Sequence, residues 1–275
     1  MKPSIFFFIH IILLSILFVS CEKENDLKPN TNNYLKVGEG VSSGSSFNVE
    51  FYSIDSLFVG YNKVYLKITD KNSGQSVNQA TMVLRPLMDM GTFTHACPFE
   101  NPGTSLNSDG YFEGVILFSM IGTNSWSLTV DISANGKSET ILFPIGKVIS
   151  TMPVRKIVVI DSLSIGAGKW MITKYPISLV LPKVWKVGQN SFEITAHRME
   201  SKMSFPAATD LTFEIIPEMP SMGHGSPNNL NPVHTSNGHY VGSVNFTMTG
   251  AWRINMIVKK GDKTVTNKAW FDIAF

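Results

Sequence analysis

The chain has very little cysteine: Cys21 and Cys97 are the two it contains. If Cys21 carries a lipid, as its surroundings indicate below, Cys97 has no second thiol to pair with, and the fold stands without an internal disulfide. Charge is sparse as well. Asp, Glu, Lys and Arg make up 16% of the residues, and the formal net charge is +2. Lys2 is the one basic residue ahead of Cys21, so the remainder is near neutral and lacks the strongly basic face that nucleic acid requires. No window of useful length has helical periodicity. Catalytic signatures are missing too: there is no GxSxG, no HExxH and no defensible Ser-His-Asp order. Asp161, Asp210 and Glu214 are scattered rather than paired. These absences point away from an enzyme. A blue-copper electron-transfer centre needs Cys, two His and an axial Met. Cys97, His95 and Met88 or Met90 fall one histidine short of it.

Apolar runs of membrane length are lacking after the N-terminus. Residues 5–19 (IFFFIHIILLSILFV) form one nearly unbroken run behind Lys2. It is shorter than the roughly 20 residues of a spanning helix, and it ends at Ser20-Cys21 before a polar stretch, as a secretory signal does. Phe18-Val19-Ser20-Cys21 resembles a bacterial lipobox, which implies cleavage before Cys21 and a diacylglycerol on its thiol. An uncleaved anchor is the other reading, and both put the rest of the chain outside the cytoplasm on a membrane. Glu22, Glu24 and Asp26 resemble the export tags of surface lipoproteins of Bacteroidetes-type bacteria, which favours the outer membrane or cell surface. The expected organisation is a signal peptide over 1–20, a lipidated flexible tether over 21–32, a first domain over 33–150 and a second over 151–275.

The two domains are expected because the chain repeats itself at a shift of 128. Phe47, Val49 and Phe51 fall on Tyr175, Ile177 and Leu179. Gly60 and Asn62 fall on Gly188 and Asn190, and Phe118, Met120 and Gly122 on Phe246, Met248 and Gly250. YLKVGEG at 34–40 also falls on SLSIGAG at 162–168. Small gaps bring Trp126 onto Trp252 and Pro86 onto Pro217. Segments such as YNKVYLKIT (61–69), LTFEI (211–215) and WRINMIV (252–258) alternate apolar with polar residues, the signature of strands with one buried face. Asn135-Gly136 and Gly261-Asp262 are hairpin turns. Seven or so short strands per unit give an all-β chain of two tandem immunoglobulin-like β-sandwiches. Trp126 and Trp252 are expected in the two cores, and so are Met120 and Met248.

Residues 218–240 (EMPSMGHGSPNNLNPVHTSNGHY) read as a loop of more than 20 residues between two strands, stiffened by proline and turned by glycine. Met219, Met222, His224, His234 and His239 offer two thioethers and three imidazoles. That mixture selects copper among common biological metals. Zinc asks for thiolate or carboxylate beside histidine, and Ca²⁺ and Mg²⁺ ask for oxygens that the segment lacks. The first copy carries Met88, Met90, His95 and Cys97 within ten residues, and Met-Gly recurs in both copies. Blander readings stand beside this one. Methionines fill cores, Cys97 is small and apolar, and His234 and His239 are loop residues facing solvent.

Met219-Pro220-Ser221-Met222-Gly223-His224, Gly238-His239-Tyr240, Phe246-Thr247-Met248 and Gly250-Ala251-Trp252 together resemble YtkA-like (FixH-type) domains over about residues 175–260. A fainter version covers about 47–135. The resemblance implies small extracytoplasmic β-sandwiches associated with the handling of copper or other heavy metals, with efflux, or with cytochrome oxidase assembly. The expected protein is therefore a membrane-anchored lipoprotein that binds copper or another soft metal for buffering or transfer to a metal-transfer or efflux partner. The alternative is a non-metal adhesion or scaffold module.

Overall fold

The computed structural model describes residues 34–275, apart from Ala167, Gly168 and Lys183. The expected signal peptide (1–20), the expected tether (21–32) and Cys21 lie outside the described residues. Every regular element described is a strand. The first half runs β1 (Leu35–Val41), β2 (Phe47–Ser53), β3 (Gly60–Asp70), β4 (Thr81–Asp89), β5 (Thr94–Ala96), β6 (Phe99–Glu100), β7 (Phe112–Phe118), β8 (Gly122–Ala134) and β9 (Lys137–Val148). The second runs β10 (Ile157–Gly166), β11 (Lys169–Val180), β12 (Gly188–Ala196), β13 (Leu211–Met219), β14 (His224–Gly225), β15 (Leu230–Ser236), β16 (His239–Phe246), β17 (Ala251–Lys260) and β18 (Lys263–Ala274).

Strand order makes the repeat explicit. The first half forms sheets β1-β2-β3-β7-β6 and β5-β4-β8-β9; the second forms β10-β11-β12-β16-β15 and β14-β13-β17-β18. Strand n of one half does what strand n+9 does in the other. In each half a single apolar cluster draws on both sheets, so each pair is a sandwich. The all-β, immunoglobulin-like expectation is met. The excess over seven strands comes from β5, β6, β14 and β15, which are short or edge elements; β14 and β15 fall inside 218–240, read above as a loop.

Alternation produces these layers. Along β13, Leu211, Phe213, Ile215, Pro217 and Met219 are buried while most residues between them face out. Trp126 and Trp252 sit in the cores as expected, at 2% and 1% exposure. The repeated Gly-x-Asn has a shared task at the entry to β3 and β12. Asn62 accepts from Phe58 N at 3.0 Å and donates to Phe58 O at 2.7 Å and Gly60 O at 2.8 Å. Asn190 does the same with Lys186 N, Lys186 O and Gly188 O at 3.0, 2.7 and 2.8 Å. Gly60 and Gly188 take φ of 136° and 95°, where a side chain is strained.

Three expectations are corrected. The match of 34–40 to 162–168 is out of register: Gly40 pairs with Val49, and Val158, not Gly168, pairs with the equivalent Ile177. The β10–β11 hairpin is longer than β1–β2, and its extra length produced the chance likeness. Residues 218–240 are not one long loop. β13 continues to Met219, β14 and β15 occupy much of the span, and Asn237-Gly238, with φ of 47° and 77°, turns into β16. Proline concealed these strands, but Pro232 lies on edge strand β15, where a missing N–H is tolerated. Met248 lies in a bend after β16 and is 37% exposed, so it is not a core residue. Met120 also lies outside a strand, packed partly buried against the first core.

Candidate metal-binding hairpins

In the second sandwich the β13–β14 hairpin closes tightly. Met222 N and Gly223 N both donate to Met219 O, at 3.1 and 3.0 Å, and Gly223 takes φ of 63°. Met219 and His224 are ladder partners, so their side chains share a face. That face points inward at Met219, which is 3% exposed and whose Cε would lie 3.0 Å from a Cβ placed on Gly250. His224, one strand further out, is partly buried at the rim. Its ring stands edge-on to Trp252, with centroids 5.6 Å apart and planes at 82°. Its Nε2 is 3.4 Å from Thr247 Oγ1, a long and weak hydrogen bond. Met222 at the tip is 60% exposed. The indole below is fixed by donating from Nε1 to Met248 O at 3.0 Å.

The first sandwich builds the same frame. Met88 pairs with His95 across β4–β5 and with Trp126 across β4–β8. Trp126 Nε1 donates to Met120 O at 3.2 Å. The histidines that differ in sequence spacing therefore hold equivalent ladder positions, and the longer tip of the first hairpin absorbs the two extra residues. Its surroundings differ. Ala96 N donates to Lys202 O at 2.8 Å, His95 packs on Phe205 with centroids 5.7 Å apart, and Lys202 Nζ sits 3.5 Å above the Phe93 ring. Residues 202–205 belong to the second half, so this hairpin is partly roofed by its neighbour. His95 Nδ1 is buried without a partner, and burial lowers its pKa below the ordinary value. Met90 at the tip is 42% exposed.

The other candidates are placed elsewhere. Met219 is a core residue at its hairpin, not a surface-turn residue, because β13 keeps its inward phase to the end. Cys97 is fully buried in the first core, and burial alone pushes its thiol well above the ordinary range. A ligand must be thiolate, so this setting disfavours one. His234 is exposed on β15, in the sheet opposite the hairpin, edge-on to Tyr240 at 5.2 Å. His239 is neither a solvated loop residue nor a free donor: Nδ1 is 2.6 Å from Glu193 Oε1 and Nε2 is 2.9 Å from Glu100 Oε1. Among the described residues, no three His, Cys, Asp or Glu side chains are grouped to hold a metal. Thioether and imidazole share the second hairpin: Met219 and His224 are ladder partners, and Met222 lies in the turn between them.

Sequence reasoning missed Glu100, Glu193 and His197, which surround His239. Their signal is three-dimensional, since Glu100 and His239 lie on different sandwiches. It also missed the role of Asn101 and Asn231. Each accepts from the facing sheet, from Leu84 N and Ile215 N, both at 2.9 Å. The repeated Asn-Pro at 101–102 and 231–232 was the available clue.

A family model described as YtkA-like matches residues 171–256. The matched span begins in β11, ends in β17, and contains the β13–β14 hairpin with Trp252. No curated protein matches the chain.

Proposed function

We propose that the chain is a membrane-anchored extracytoplasmic lipoprotein that takes up Cu(I), or another soft metal ion, as cargo at the β13–β14 hairpin for buffering or transfer to a partner. The observation that carries this reading is the placement of Met222 and His224 at an open hairpin with Met219 on the face that His224 shares. Two thioethers and one imidazole suit a soft monovalent ion, and the carboxylates that would favour a hard cation are not gathered there. Similarity of residues 171–256 to YtkA-like domains lends support, because that family is often linked to copper-related proteins. His224 would supply the nitrogen donor and Met222 an exposed sulfur through which cargo exchanges. Met219 would complete the set from below. In this reading the first hairpin keeps the frame but contributes less, because residues of the second half cover His95. Cys97, His234 and His239 are not ligands.

The test is competition of the full chain with a chromogenic Cu(I) chelator. Binding is expected, and it is expected to be lost when Met219, Met222 and His224 are all changed to Ala. Binding no tighter than millimolar, or unchanged in the triple variant, ends the proposal. Anchoring through Cys21 at the outer membrane or cell surface predicts that Cys21→Ser moves the chain from the membrane to the soluble fraction. An adhesion or scaffold role has one observation in its favour: Leu163, Met171 and Ile172 are 47%, 51% and 63% exposed along the β10–β11 hairpin. Capture of a partner through that hairpin, unaffected by chelator, would select it.

A further inference from the structure

We propose that Glu100, His239 and Glu193 form a protonation-dependent latch that fastens the two sandwiches together. Glu100 lies on β6 of the first sandwich; Glu193 on β12 and His239 on β16 belong to the second. One imidazole ring therefore joins both halves, with 2.6 Å to Glu193 and 2.9 Å to Glu100. A neutral imidazole carries a single N–H and can donate to one of these carboxylates only. Its other nitrogen would present a lone pair to the second. With both carboxylates ionised, the two contacts are satisfied together only by the imidazolium. The bridge is thus a statement about protonation before any titration is considered.

The surroundings make the proton matter. Tyr61 of β3 meets the His239 ring edge-on at 6.2 Å, and Tyr61, Val115 and Leu117 pack with Val180 as a small apolar patch between the sandwiches. Glu113 of β7 acts on Tyr61 from the same sheet, but Lys63 pairs with it at 2.6 Å and offsets its charge. His197, just past β12, is 3% exposed, and its Nδ1 has no partner. Burial holds it down at about 4, so it is neutral and does not offset the two carboxylates. Without its proton, His239 would leave Glu100 and Glu193 uncompensated in a half-buried junction.

Hydrogen bonds to Glu100 and Glu193 raise His239 from 6.5 to about 9, against the opposing effect of burial. Its contribution to docking is complete below 6.5, declines as pH rises, and is gone above about 9. His197 works in the opposite direction. Its folded value is depressed, so its contribution is present above 6.5 and is lost as pH falls toward about 4. The junction is therefore tightest near the ordinary histidine value and opens on the alkaline side through His239. The same junction carries the Ala96–Lys202 hydrogen bond and the Phe205 contact over His95, so opening it also uncovers the first hairpin.

The test uses the full chain in detergent. The carbon resonances of the His239 ring should titrate near 9, and Glu100→Gln should move that midpoint toward 6.5. In parallel, small-angle scattering should show the chain expanding as pH rises through the same midpoint, with the far-ultraviolet β signal unchanged. His239→Gln should abolish the pH-linked step. A ring that titrates near 6.5 in the wild type overturns the proposal. So does a wild-type chain whose dimensions do not change through the titration, or a step that persists in His239→Gln. The ring titration needs no histidine variant, so it decides the matter even if His239→Gln folds poorly.

Discussion

The β4–β5 and β13–β14 hairpins are built on one plan and end in different situations. Both place a methionine opposite a histidine, both rest on a buried indole tied to a methionine carbonyl, and both carry Met-Gly at the turn. One is partly roofed by residues 202–205 of the other half. The other leaves Met222 exposed and His224 at a rim with one long hydrogen bond. The duplicated scaffold fixes where donors stand; the docking of the two sandwiches fixes which donors a solute can reach. Equivalent residues need not be equivalent sites.

The most drastic way to break the comparison is to remove the indole floors. Trp126→Ala and Trp252→Ala should each cost about 3–5 kcal/mol in denaturant unfolding of the sandwich concerned. Only Trp252→Ala should also weaken Cu(I) binding in chain that remains folded. Equal loss of binding in both variants would mean that the two hairpins act alike. Next come the buried asparagines. Asn62→Ala and Asn190→Ala each leave backbone groups unpaired at the entry to β3 or β12, so each should destabilise by about 1–3 kcal/mol. Similar costs would support the equivalence of the scaffolds, and a large disparity would weaken it.

A smaller effect concerns access. Diethyl pyrocarbonate should modify His224 faster than His95, and Phe205→Ala should speed the reaction at His95 while leaving His224 unchanged. Rates that begin equal would remove the distinction between roofed and open hairpins. The smallest change in stability is expected for Met222→Leu. That side chain is exposed and the swap conserves volume, so unfolding should shift by less than about 0.5 kcal/mol. Cu(I) affinity should nevertheless fall, because Leu has no sulfur.

Much of this comparison was written in the sequence. Alternation along residues 211–215 and 252–258 fixed strands and their buried faces, and the repeated Gly60-x-Asn62 and Gly188-x-Asn190 marked a shared turn whose hydrogen bonds now agree closely. The edge strands were harder to see. β14 has only 2 residues, β15 is a mostly exposed edge strand that contains Pro232, and Pro227 lies between them, so they lack the alternation that reveals a central strand. The placement of Met219 was legible in principle, since it continues the odd-numbered buried phase of β13, but the prolines on either side suggested a turn two residues too early. His239 was beyond local reading. Its two partners are 46 and 139 residues away in sequence, and the second sits on the other sandwich.

The decisive measurement is a Cu(I) titration of chain labelled with ¹³C-methyl methionine. The Met222 and Met219 methyl resonances should shift first, together with the His224 ring, while Met88 and Met90 stay in place. Earlier shifts at Met88 and Met90, or no methionine shift at all, would contradict it.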